Sequence, residues 1–352
     1  MSSSAPPPTR DIVVMGASAG GVQVLLDVVR ALPADFPAAV FIVQHIPGYA
    51  VSYLAELLDK ASPLPARYPQ PGEVVRPGTI YVAPPDHHLL LEGDQVLATR
   101  GPKENRFRPS VDALFRSAAY TYGPRVIGVV LTGYLDDGTS GLWTVQRLGG
   151  LTVVQDPKEA YVPDMPRNAL QYTTPDYVVP QPELAPLLVR LTAQPAPAQP
   201  SVPPEELARI AHEITIAKGD TGLTVNVLRE GELTPFVCPS CQGPLVKLVE
   251  GQQLRFRCRT GHGFTLSGLL AAVSEGVENQ LYNALQSLQE SEQLLHEVGE
   301  HYTQLGQPAV ATGFRAEATH MQQRVHALHE AILQQATLSA SSRLPSAPSE
   351  SS

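Results

Sequence analysis

Only three of the 352 residues are cysteine, and all three fall between positions 238 and 258. An odd, clustered set disfavours a disulfide framework and points to a reducing, cytoplasmic setting. No apolar run reaches 18 residues, so neither a transmembrane helix nor membrane insertion is expected. The N-terminus is Ser-rich and then Pro-rich. It lacks both a charged n-region and an apolar h-region and does not read as a secretory signal. Positive charge is also scarce: 25 Lys and Arg against 34 Asp and Glu leave a net charge of −9, which gives no support to nucleic-acid binding. Apolar residues, by contrast, make up 43% of the chain, ample for a core, and the length exceeds one typical domain.

The 34 prolines are unevenly spread and mark boundaries. Residues 1–10 read as a disordered N-terminus. Residues 11–191 alternate short β-rich runs, at 12–15, 39–43, 79–83, 126–131, 151–155 and 176–179, with helical stretches, the pattern of a parallel α/β domain. Leu89–Ala98 reads as a hairpin turning at Gly93-Asp94. Residues 192–204 form a Pro-rich linker, and 205–234 a connector with one short helix, 205–217, followed by a turn at Lys218-Gly219-Asp220. A Cys/His module follows at 235–265, a helical hairpin at 266–338, and a Ser/Pro-rich disordered tail at 339–352.

The turn Gly16-Ala17-Ser18-Ala19-Gly20-Gly21 joins the first strand to an amphipathic helix. A serine there is held forward by tight backbone beside the unpaired N–H groups of a helix start, which makes Ser18 a candidate nucleophile. A nucleotide site or an ordinary tight turn would use similar glycines. The dinucleotide fingerprint, however, needs a glycine where Ser18 stands and an acidic residue after the next strand. That strand, Ala39–Val43, ends instead in Gln44-His45, and an imidazole is the group that activates a serine. A third group must orient it. The strand Val126–Leu131 runs into Thr132-Gly133-Tyr134-Leu135-Asp136-Asp137-Gly138, where spacing alone allows either Asp136 or Asp137. The chain order Ser, His, Asp differs from that of α/β-hydrolases and suggests a convergent triad on another fold.

These motifs together resemble the catalytic domain of the chemotaxis protein-glutamate methylesterases of the CheB type. The matching stretches are Gly16–Gly21, Gln44-His45-Ile46-Pro47, Tyr81–His88, Pro109-Ser110-Val111-Asp112-Ala113-Leu114-Phe115, Leu131-Thr132-Gly133 with Asp137-Gly138, Gln155-Asp156 and Met165-Pro166. The resemblance spans about residues 11–190 and implies a doubly wound, mostly parallel sheet. It implies Ser18 as nucleophile, His45 as base and acid, Asp137 rather than Asp136 as orienting carboxylate, and no catalytic cofactor. The implied reaction is hydrolysis of glutamate γ-methyl esters on receptor helices, with glutamine deamidation as a companion activity. The implied partners are methylated receptor helices or another signalling protein. Oxyanion donors are expected at the N–H groups of Ala19 and Tyr134. The chain departs from the family in two places. Only about ten residues precede the first strand, so no fused receiver domain is expected, and Tyr134-Leu135 replaces the usual methionine and glycine. Two other classes stand beside this one: a hydrolase of the same fold with another ester or amide substrate, and a non-enzymatic signalling scaffold.

Cys238-Pro239-Ser240-Cys241 and Cys258-Arg259-Thr260-Gly261-His262 form two knuckles around a segment suited to two strands meeting at Glu250-Gly251. A Cys3His set closes a tetrahedral zinc shell with no open position, so a structural zinc is expected. Beyond it, Leu270, Val273, Val277, Leu281, Leu285 and Leu288 recur at helical spacing, and Gly306-Gln307-Pro308 separates them from a second helix. That stripe suits either a self-packed hairpin or a surface for a partner helix or second copy. Arg100, Lys103, Arg106 and Arg108 crowd one loop, which reads as a solvated loop or a dock for acidic helices. His87 and His88 read as structural or rim residues.

Overall fold

Ile12–Ala17 (β1) and Ala39–Gln44 (β2) are buried at every position. Such strands arise where a parallel sheet is covered on both faces, and they read as unbroken apolar runs. The computed structural model describes residues 8–47, 51–219 and 227–341. Expectations for residues 1–7, for 220–226 of the connector and for 342–352 of the tail lie outside the described residues. Residues 8–10 of the expected N-terminal tail are in place: Thr9 bridges to Pro195, and the buried Arg10 donates to the Pro124 carbonyl at 2.6 Å.

The other strands of the first half are Ala66–Arg67 (β3), Ile80–Val82 (β4), His88–Glu92 (β5), Gln95–Thr99 (β6), Val126–Val130 (β7), Leu151–Gln155 (β8) and Tyr177–Val179 (β9). Of the nine strands β1–β9, seven form a parallel sheet in the order β3-β4-β2-β1-β7-β8-β9, while β5 and β6 make the expected hairpin. The helices are Gly21–Arg30 (α1), Leu54–Ala61 (α2), Val111–Tyr122 (α3), Thr139–Arg147 (α4), Asp164–Tyr172 (α5), Gln181–Thr192 (α6) and Pro204–Lys218 (α7). Alternate β1 side chains feed opposite layers, as a period of two requires. Val13 and Met15 join Leu25, Leu58 and Leu188 of α1, α2 and α6. Ile12 and Val14 join Leu114, Leu142, Met165 and Ile214 of α3, α4, α5 and α7. The sheet is therefore doubly wound. Its switch point lies where β1 pairs with β2 on one side and β7 on the other, which is where open α/β sheets place their sites.

The Cys-bearing segment folds as an antiparallel ribbon of Glu232–Val237 (β10), Pro244–Glu250 (β11), Gln253–Cys258 (β12) and Gly263–Thr265 (β13). The ribbon belongs to the same compact unit as the parallel sheet, which runs to Leu269. Its joint with the sheet domain is a buried charge cluster that sequence reading missed. Glu104 receives Arg116 at 2.9 Å and Arg257 at 3.1 Å, and also Arg255. Glu213 of α7 faces Arg255 at 3.0 Å and also meets Arg257, while Glu250 meets Arg255 at 2.8 Å. Burial pushes the Glu104 carboxyl upward, but the three guanidinium charges outweigh it and hold the group well below the usual carboxylate range.

The second unit, from Leu270, contains most of Leu266–Gln304 (α8) and all of Pro308–Ser341 (α9). Leu285, Val325 and Ile332 form its small core, flanked by Leu281, Leu288 and Leu328. The apolar stripe read from the sequence is thus divided: its second half packs against α9, and Leu270, Val273 and Val277 are exposed. Among the described residues no helix is long and apolar enough to cross a membrane.

Arg255 is the cation shared by Glu104, Glu213 and Glu250, so Arg255→Met leaves three carboxylates to two guanidinium groups and strips Glu250 of its cation. Urea denaturation of the full chain is expected to show a loss of about 3–5 kcal/mol. A loss below about 1 kcal/mol, the size of an ordinary substitution, would show that the cluster does not hold the ribbon.

Candidate active site

β1 and β2 run in register to Ala17 and Gln44, and the chemistry begins one residue further on. The Ser18 N–H donates to Thr132 O at 2.9 Å, tying the end of β1 to the loop after β7. The Ser18 carbonyl accepts from Gly21 N at 2.9 Å and from Gln44 Nε2 at 2.7 Å. Gly20, the cap of α1, lies in the left-handed region at φ 78°, which lets the chain turn sharply from strand into helix. A Cβ on Gly133 would stand 2.6 Å from Ser18 Cβ and 2.2 Å from Met165 Sδ, so only glycine fits beside the serine. Ser18 itself is half-buried.

The His45 N–H donates to Ala17 O at 3.0 Å, so the imidazole leaves the sheet next to the serine turn. Its Nε2 lies 2.7 Å from Asp137 Oδ2, with both side chains buried. Asp137 also accepts from Asn105 Nδ2 at 2.8 Å, Ser110 Oγ at 2.9 Å, Val111 N at 2.7 Å and Asp112 N at 3.2 Å. The last two are first-turn N–H groups of α3, where unpaired donors and the helix dipole favour an anion. Burial raises the Asp137 carboxyl. The bond and charge of His45, with Asn105 and Val111 behind them, prevail and hold it below the usual carboxylate range. An ionised acceptor at Nε2 keeps the proton there and leaves Nδ1 as the basic nitrogen. Nδ1 is buried and makes no hydrogen bond among the described residues. Phe107 stacks on the imidazole, with centroids 3.9 Å apart and planes 7° apart, and covers one face of it.

Asp136 and Asp137, equivalent by spacing, are separated by their contacts. Asp136 turns toward the ribbon, where it accepts from Thr265 Oγ1 at 2.6 Å and from Ser267 Oγ. The N–H groups of Ala19 and Tyr134 make no hydrogen bond among the described residues. At the departure from the family pattern, Tyr134 is exposed and Leu135 adopts φ 63°, a left-handed conformation that a glycine would hold without strain. His88 is buried and structural: its Nε2 donates to Pro102 O at 2.9 Å. In the basic loop, Arg108 closes on Asp86 at 2.6 Å and Arg100 also reaches Asp86, so these two charges are met within the chain. Asn105 and Phe107 gave no sequence signal. Ser110, Val111 and Asp112 stood in a recognised motif without a role.

In the ribbon, Cys238, Cys241, Cys258 and His262 present donor atoms all within 4.8 Å of one another. Cys241 Sγ and His262 Nδ1 each lie 3.6 Å from Cys258 Sγ. Tetrahedral zinc–sulfur bonds of about 2.3 Å would put ligand atoms roughly 3.7 Å apart, so the donor set fits that ion.

The family model for CheB methylesterase matches residues 13–188, half of the chain. A Leptospira interrogans protein with the provisional name protein-glutamate methylesterase/protein-glutamine glutaminase is 38% identical over 182 residues, covering 51% of this chain and 94% of that protein. The protein-glutamate methylesterase/protein-glutamine glutaminase of Moorella thermoacetica is 40% identical over 189 residues, 52% of this chain but 45% of its own length. The chain therefore spans most of one relative and about half of the other. The crystal structure of the Thermotoga maritima CheB methylesterase catalytic domain is similar at 36% identity and a TM-score of 0.50, covering 51% of this chain and 98% of that one. With a family model matched over half of its length and a relative covered almost whole at 38% identity, the chain belongs to the CheB methylesterase family.

Proposed function

We propose that the chain is a serine hydrolase that removes γ-methyl esters from protein glutamates and deamidates glutamines at such positions, acting in the cytoplasm on the helices of a chemoreceptor-type signalling partner. The observation that carries this reading is the buried His45–Asp137 bond beside the Ser18 turn, within a chain of this family.

Ser18 Oγ attacks the γ-carbonyl carbon and gives its proton to His45 Nδ1. The Ala19 and Tyr134 N–H groups, both without a partner among the described residues, are the proposed donors to the oxyanion that forms. As the tetrahedral intermediate collapses, His45 returns the proton to the departing methoxide, which leaves as methanol. Water then attacks the acyl-enzyme, with His45 again taking its proton, and glutamate and free Ser18 are restored. For glutamine the first leaving group is ammonia. Asp137 holds the imidazole in one tautomer and stabilises its cationic form without taking the proton.

In the ribbon, Cys238, Cys241, Cys258 and His262 are proposed as ligands of a structural zinc. Four protein donors leave no open position, so such an ion would fold the knuckles and take no part in ester chemistry. The exposed Leu270, Val273 and Val277 stripe is proposed as a contact surface for another helix, from a partner or a second copy.

With a methyl-labelled receptor helix as substrate, the full chain is expected to release methanol, and Ser18→Ala to abolish release while melting as the parent does. Methanol release from unrelated methyl esters at the same rate would refute receptor specificity. Asp137→Asn would present an amide N–H to Nε2 and invert the tautomer, lowering kcat about 10⁴-fold at neutral pH. The Asp137 carboxyl lies below its ordinary value, so its support of the imidazole is complete at neutral pH and is lost only as pH falls through that lowered value. Elemental analysis of the purified chain is expected to show about one zinc, as a closed four-ligand site requires. A fully folded ribbon without metal would overturn that assignment.

A further inference from the structure

The ribbon bonds to the residues that adjoin the catalytic row, Asn105 and Asp136, and not only to the outside of the sheet domain. β13 lies beside the loop before α3, with Glu104 and Gly263 paired as a parallel bridge. The Asn105 N–H donates to Gly263 O at 2.8 Å, and the Thr265 N–H donates to Asn105 Oδ1 at 3.0 Å. The side-chain amide of Asn105 is thereby fixed at its oxygen, which points its Nδ2 at Asp137 Oδ1, 2.8 Å away, and at Asp112 Oδ2, 2.7 Å away. Asn105 holds φ 51°, a left-handed backbone that asparagine tolerates better than most residues, and it is buried. Two residues on, the same loop lays Phe107 over His45.

A second set of bonds reaches the aspartate loop directly. Thr265 caps α8: its Oγ1 accepts from Gly268 N at 3.0 Å and donates its own proton to Asp136 Oδ1 at 2.6 Å. Ser267 Oγ donates to Asp136 Oδ2. The residue next to the orienting carboxylate is therefore held by two hydroxyls of the C-terminal module, and one rung of that module holds the amide that grips the carboxylate.

We propose that β13 and the first turn of α8 act as a positioning element for the catalytic aspartate, with Thr265, Ser267 and Asn105 as positioning residues. Through them the ribbon sets where Asp137 stands against His45, a task the parallel sheet does not complete alone. The ribbon is then a working part of the esterase, and events that lift it reach the nucleophile. This inference rests on the reading of Ser18, His45 and Asp137 as one catalytic row.

The test uses the full chain and the rate at which a fluorophosphonate labels Ser18, which reports nucleophile activation without a receptor. Thr265→Val keeps the shape and deletes the donor to Asp136; Thr265→Ser keeps the hydroxyl. Labelling is expected to slow about 10- to 100-fold in Thr265→Val, as misplacement of a catalytic group does, and to return to within about 2-fold of the parent in Thr265→Ser. Asn105→Asp keeps the left-handed backbone and the acceptor for Thr265 N–H but removes the donor to Asp137. The titratable groups around Asp137 are His45, His88, Asp112 and Asp136, and a further carboxylate among them raises the Asp137 carboxyl. The acid limb of the labelling profile should then move to higher pH, a change that simple loosening of the fold would not produce. Equal labelling rates and one pH profile across the parent, Thr265→Val and Asn105→Asp refute the inference alone. A Ser18 that resists the probe in the unmodified chain refutes the catalytic reading beneath it. If Asn105→Asp melts below the assay temperature, the Thr265 pair decides by itself.

Discussion

A single buried carboxylate organises this molecule. Asp137 stands at the switch point of the sheet, out of water, where an anion survives only if its lone pairs are filled. They are filled by an imidazole, a side-chain amide, a hydroxyl and two N–H groups of a helix start. The five donors come from four stretches of chain: the residue after β2, the loop before α3, the residue that enters α3, and the first turn of α3, which gives two. Taking any one away leaves the others around a group that is costly to bury, so the loops at this end of the sheet are held by a common need.

The same logic governs the join between ribbon and sheet domain. Three arginines and three glutamates are expensive to remove from water, and they are tolerated because each carboxylate meets at least one guanidinium in a tight, mixed-sign cluster. Such a joint is selective rather than merely adhesive, because a slipped register would strand a charge. Glu104 sits in it one residue before Asn105. The charge cluster that seats the ribbon and the amide that grips the catalytic aspartate are therefore neighbours on one short loop.

Within this family pattern the chain carries local peculiarities at the mouth of the site. Leu135 occupies a left-handed position and Tyr134 stands exposed beside it. The strain is held by its surroundings, including the Asn168 amide, which donates to Leu135 O at 2.8 Å. The two ends of the helical stripe differ as well. Leu281, Leu285 and Leu288 are used against α9, while Leu270, Val273 and Val277 face solvent.

Local order was legible in the residues alone. Unbroken apolar runs announce buried parallel strands, a glycine-flanked serine announces a strand-to-helix turn, and Cys-x-x-Cys with Cys-x-x-x-His announces a metal-shaped knuckle, because each depends on neighbours close in sequence. The hairpin turn at Gly93-Asp94 and the break at Gly306 were legible for the same reason. Pairings across long sequence separations were not. Asp136 and Asp137 are identical to a reader of spacing, and only the direction in which the backbone turns them gives one to His45 and the other to Thr265 and Ser267. Asn105, Phe107, Glu104, Arg255 and Arg257 look like ordinary polar-loop and ribbon residues until folding brings β13 beside the loop before α3. Chain order and composition determine which elements form, whereas the burial of charge, which needs partners from distant segments at one point, is decided in three dimensions.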